Sequence, residues 1–152
     1  RSRSTPPKRL SDEEREIFIS SWNRGYIVHE LLLEAANLVS PEILTKVPEQ
    51  ESLLPWLVNK NLITGEMANL VKGLEKAAET LGWELRHEKK VPDLLDLLVE
   101  ANYITKETRE WIKRELILQE IPIEKLLLAN YLASEDTINN AIHLLNTLQT
   151  LI

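Results

Sequence analysis

Cysteine is absent from the 152 residues. No disulfide can staple the fold, and no thiolate can act as nucleophile or metal ligand. That absence fits a cytoplasmic setting. Glycine occurs only four times, beside abundant leucine, which favours helix over sheet. No apolar run is long enough to cross a bilayer, and no signal-peptide pattern is present, so membrane insertion is not expected. The chain has no Gly-rich phosphate loop, no Gly-x-Ser-x-Gly and no His-Glu-x-x-His. The three histidines, His29, His87 and His143, are far apart and lack a second ligand at metal spacing. Acid pairs such as Asp12-Glu13 and Glu13-Glu14 read first as helix N-terminal charges. Neither an enzyme nor a cofactor is therefore expected.

The balance of what is present is ordinary for a globular protein, with 43% hydrophobic and 28% charged residues. The formal net charge of −6 argues against a general nucleic-acid binder. The basic stretch from Arg1-Ser2-Arg3 to Lys8-Arg9 is the exception. Residues 1–10 are mostly Ser, Pro and basic, and read as a disordered tail or linker. The chain does not begin with Met, which is expected of a piece of a longer protein.

One phrase recurs. Its clearest copy is Leu98-Val99-Glu100-Ala101-Asn102-Tyr103-Ile104-Thr105-Lys106-Glu107. Others begin at Leu57 and Leu33, and a degraded one begins at Leu127. The pattern is an apolar run, Asn, two apolar residues, Ser or Thr, then an acid. Asn tolerates the left-handed conformation that closes a helix, so Asn37, Asn61, Asn102 and Asn130 are expected just past helix ends. Ser40, Thr64, Thr105 and Ser134 are expected to cap the next helices. The acid after the cap falls in the first turn, where the helix dipole favours it. The phrase is a helix–turn–helix corner. The second and third copies align without a gap from Leu54–Val71 to Leu95–Ile112, which points to a duplicated helical hairpin. Unequal spacing between copies argues against a regular solenoid.

These signals predict an all-α fold, a compact bundle of repeated helical hairpins. Ser11-Asp12-Glu13-Glu14 is a capping box opening the first helix, with Ile17, Phe18, Trp22 and Tyr26 at helical spacing. Asn23-Arg24-Gly25 breaks it before a second helix from about Tyr26 to Ala36. Ser40-Pro41 and Ser52 open two short helices. Thr64 caps a longer one that stops at Gly82. Residues 83–90 lack a helical period and read as a charged loop. Pro92 and Pro122 open further short helices, and Thr105 and Ser134 cap the last long ones. Residues 11–152 form a single helical domain, with 11–82 and 91–152 as possible subunits.

Four Trp stand beside a single Phe. Trp56 and Trp111 occupy positions that hold Leu97 and Leu70 in the sister copy, so core packing is expected of both. Trp83 lies in the expected loop, where an exposed Trp is an interface anchor. The candidate interaction surface is therefore Trp83, Arg86, His87, Lys89 and Lys90. Sequence-specific DNA binding through a corner helix ranks lower. The helix after Thr105 mixes Lys106, Arg109, Lys113 and Arg114 with Glu107, Glu110 and Glu115, as a solvated helix does.

The phrases ending Asn102-Tyr103-Ile104 and Asn130-Tyr131-Leu132 resemble the tandem motif of the MshEN family. That family is the N-terminal helical region of type II secretion and type IV pilus assembly ATPases. The resemblance covers about residues 91–150, and more loosely 52–80. It implies a helical regulatory domain of a larger bacterial protein and, as in some members, a cyclic dinucleotide ligand. The family's Leu-Gly pair corresponds here to Leu94-Leu95 and Pro122-Ile123, and its corner Gly to Asn. Cyclic-dinucleotide sensing therefore ranks behind a non-catalytic module for protein–protein interaction or regulation.

Overall fold

A computed structural model describes residues 8–152. Among them nine helices form an all-α fold: α1 (Asp12–Asn23), α2 (His29–Ala35), α3 (Pro41–Leu44), α4 (Leu53–Asn59), α5 (Gly65–His87), α6 (Leu94–Glu100), α7 (Lys106–Gln119), α8 (Ile123–Ala129) and α9 (Glu135–Leu151). The opening capping box forms as the sequence predicts. The Ser11 hydroxyl accepts from the Glu14 backbone N–H, and the Glu14 carboxylate accepts from the Ser11 backbone N–H, both at 3.1 Å.

The corners repeat atom for atom at their hydrogen bonds. After α4, Asn61 adopts φ 59°, the Leu62 N–H reaches the Leu57 carbonyl at 2.9 Å, and the Asn61 N–H reaches Val58 at 3.0 Å. After α6, Asn102 adopts φ 66°, and Tyr103 bonds Leu98 at 2.9 Å. After α2, Asn37 adopts φ 62°, and Leu38 bonds Leu33 at 3.0 Å. Each is a Schellman closure, which satisfies carbonyls that the helix end would otherwise orphan. Thr64, Thr105 and Ser134 then accept from the N–H groups of Met67, Thr108 and Thr137. Ser40 occupies the cap position before α3 without such a bond.

The fourth corner corrects the expected register. Asn130 is not left-handed; the next residue, Tyr131, takes φ 56°. Tyr131 is thus the counterpart of Asn102, three residues before its cap Ser134 as Asn102 is before Thr105. Asn130 instead spends its side chain on the helix end, donating to the Leu126 carbonyl at 2.9 Å.

Two other expectations need correction. Residues 83–87 of the expected 83–90 loop are helical: helical structure resumes after Gly82 and runs to His87, and residues 88–90 form the turn that follows. Gly82, at φ 56° and ψ −129°, breaks α5 without ending it. A residue with a Cβ would be strained there. The chain then closes as at the corners, with Lys89 at φ 56° and the Lys90 N–H on the Leu85 carbonyl at 2.8 Å. The second correction concerns the tail. Residues 1–7 of the expected 1–10 segment lie outside the described residues, but residues 8–10 pack against the fold. The Lys8 N–H bonds the Ala35 carbonyl at 2.6 Å, its ammonium pairs with Glu34 at 3.1 Å, and Leu10 is buried. That pairing compensates the charge of Glu34, which is itself buried. Tyr26 lies ahead of α2 and, like Ile17, is half exposed rather than inward.

The core is continuous from Leu10 to Leu151, so residues 11–82 and 91–152 share it. The short helix α6 is at its centre. Leu95, Leu97 and Leu98 are sealed from solvent, and α5, α7 and α9 all pack on α6. A helix apolar on nearly every side can only sit inside. Each of those leucines contributes about 1.5–3 kcal/mol by burial. Helix α5 joins this centre to α1, α4 and α9. Further ties cross the bundle. Glu66 at the start of α5 accepts from Thr137 at 2.6 Å and Asn140 at 3.0 Å, and His143 of α9 donates to the Ala36 carbonyl at 2.7 Å.

Candidate interaction surface

The kink at Gly82 positions the surface that the sequence singles out. Beyond it, one turn of helix places Trp83 and His87 four residues apart, on the same face. Their rings stack with centroids 4.2 Å apart and planes 14° apart. Trp83 remains 70% exposed. A large apolar ring is thus presented to solvent with one face on the exposed His87 ring.

Arg86 is placed differently from the other members of the expected set. It is partly buried and points back into the kink. Its guanidinium donates to the Ala78 carbonyl at 3.4 Å. A Cβ on Gly25 would meet Arg86 Cζ at 3.7 Å, and one on Gly82 would meet Nη2 at 4.0 Å. The side chain therefore fills the space beside two glycines with positive φ, and tethers the turn after α1 to the kink in α5. Lys90 binds the Glu88 carboxylate at 2.6 Å, with Glu84 at 3.9 Å. The bond to Glu88 raises the Lys90 ammonium above its ordinary pKa, and the same bond lowers Glu88. Both groups are exposed, so the pair is worth little to stability. The structure thus brings Trp83, His87, Lys89 and Lys90 to the outside and withdraws Arg86.

Trp56 and Trp111 pack partly buried against the core, and Trp22 is buried within it. A second apolar exposure escapes sequence reasoning. Near the end of α7, Ile117 is 81% exposed and Leu118 75%, and Tyr131 protrudes from the fourth corner at 95%. The signal was available for α7. Ile112 and Leu116 mark its inward stripe, and positions 117 and 118 fall off it.

An open cavity of about 540 Å³ lies at the third corner. It is lined by Lys76 and Thr80 of α5, by Val99, and by Tyr103, Ile104 and Lys106 around the turn. Among the described residues no group of His, Asp or Glu side chains converges as a metal site. No described helix is long and apolar enough to cross a membrane. No protein-family model, curated protein or solved structure matches the chain.

Proposed function

We propose that the chain is a non-catalytic protein-interaction module, a regulatory part of a larger bacterial protein acting in the cytoplasm, and that it docks its partner through Trp83. The observation that carries this reading is the Trp83–His87 stack, which leaves Trp83 70% exposed. Aromatic side chains of this kind concentrate binding energy at interfaces. Glu84, Glu88, Lys89 and Lys90 are exposed on the same segment, so the ring lies in a stretch of mixed charge. The acidic balance of the whole chain, −6, supports a protein rather than a nucleic acid as partner.

Quantitative affinity capture from the source cells tests the reading. The wild-type chain should enrich a partner that Trp83→Ala no longer retains and that His87→Ala retains weakly, while circular dichroism shows both variants folded. If all three chains retain the same proteins in the same amounts, Trp83 is not the docking residue.

A further inference from the structure

The outward face of α7 is complementary to itself. Lys106, Glu110, Lys113 and Ile117 recur at helical spacing on one exposed stripe, with Glu107, Arg114 and Leu118 beside it. On this exposed face Lys106 opens the helix, Glu107 and Glu110 follow in its first half, Lys113 and Arg114 lie in its second half, and the apolar pair Ile117 and Leu118 lies near its end. Among the described residues the ion pairs of α7 are those of Arg109 with Asp96 and with Glu110, which leaves Glu107, Lys113 and Arg114 unpaired. Residues 106–125 carry five bases and five acids, so the formal charge of −6 lies elsewhere on the chain. Two copies meeting along this stretch face no net charge repulsion.

We infer that two copies of this chain pair antiparallel through the outward faces of their α7 helices. A two-fold axis near residue 111 brings Glu107 opposite Arg114 of the second copy, and Glu110 opposite its Lys113. The same axis carries Ile117 to the Lys106 end of the other helix, about 17 Å along it. That end borders the open cavity with Val99, Tyr103 and Ile104 in its lining. Ile117 and Leu118, which have no cover within one copy, meet the partly buried Tyr103 ring and the methylenes of Lys106 there. Each contact is made twice, as a two-fold interface requires. A second copy running in the opposite direction supplies the charges in the order that these outward pairs need.

Sedimentation equilibrium of the full chain over a concentration series tests the inference. The wild type should be a dimer. Ile117→Lys should weaken it on the order of a hundredfold, since two apolar side chains lose their cover and each new ammonium faces Lys106 of the second copy. Glu107→Lys with Glu110→Lys should give monomer, as should Lys113→Glu with Arg114→Glu. All four changes in one chain should restore the dimer, because the reversed charges again face opposite charges. These side chains are exposed, so circular dichroism should be unchanged throughout. A wild type that stays monomeric into the millimolar range overturns the inference. So does a dimer that Ile117→Lys leaves intact, or a four-fold variant that stays monomeric.

Discussion

Gly73 of α5 lies against Ala101 at the end of α6, with no room for a methyl group between them. A Cβ on Gly73 would come within 2.8 Å of the Ala101 Cβ and 3.0 Å of its Cα and N. Backbone atoms cannot yield as a flexible side chain does, so α6 would have to move. The neighbouring Asn69 holds α6 at this spot by donating to the Ala101 carbonyl at 2.9 Å. Gly73→Ala gains about 1 kcal/mol of helix propensity but incurs a larger overpacking cost. The net effect should be a loss of about 1–2 kcal/mol, read as a lower urea midpoint. Gly65→Ala is the control. Nothing lies within 4 Å of its new Cβ, so stability should rise by about 0.5 kcal/mol. A neutral Gly73→Ala would mean that the crossing is not rigid.

Tyr131 occupies a left-handed position, which a bulky side chain tolerates poorly, while 95% of its surface is exposed. It takes on strain without gaining burial. Tyr131→Asn restores the residue found at the other three corners and should stabilise the fold by about 0.5–1 kcal/mol. Asn102→Ala should cost about as much in the opposite direction. Thermal unfolding of the two variants checks the pair, and two shifts of the same sign would defeat the explanation.

That corner shows where the sequence was legible and where it was not. Capping hydroxyls at Ser11, Thr64, Thr105 and Ser134 could be read because each needs only a local partner. The left-handed turns after α2, α4 and α6 could be read because Asn announces them. At the fourth corner Asn130 lies one residue early, and the cap spacing from Ser134 was the better guide. Gly82 was legible as a break but not as a kink. The helical turn beyond it depends on Leu85 being buried and on Arg86 reaching back to Ala78. Those contacts are tertiary. The exposure of Trp83 agreed with expectation, whereas the inward turn of Arg86 brings its guanidinium beside Gly25, some sixty residues away in the chain.

Asp96 gives stability a pH dependence of unusual sign for a carboxylate. Burial raises its pKa above the ordinary 3.8, and repulsion from Asp93 adds to this, although Arg109 pairs with it at 3.1 Å. The folded state therefore binds this proton more tightly than the unfolded state does. The stabilisation is fully present below pH 3.8 and is lost as pH rises through the higher folded value. Asp96→Asn removes the titration and keeps an oxygen for Arg109. Urea midpoints of variant and wild type should coincide at low pH and diverge above it, with the variant the more stable at neutral pH. A variant less stable at neutral pH would show that the Arg109 pair outweighs burial.

The two faces of the candidate surface should separate under mutation. Arg86 fills the space beside Gly25 and Gly82 and bonds the Ala78 carbonyl, so Arg86→Ala removes packing and a charge-assisted bond together. A loss of about 1–2 kcal/mol is expected, with the turn after α1 loosened from α5. Trp83 contributes chiefly a ring stack on one exposed neighbour, so Trp83→Ala should change stability by about 0.5 kcal/mol or less. Binding should show the reverse order, with Trp83→Ala abolishing capture of the partner. Hydrogen exchange at Gly25 and Tyr26 provides a direct readout of the tether, because the Tyr26 N–H bonds the Ser21 carbonyl at 3.1 Å within that turn. Faster exchange there in Arg86→Ala, and unchanged exchange in Trp83→Ala, would assign Arg86 to the fold and Trp83 to the partner. Equal protection in both variants would remove the structural role given to Arg86.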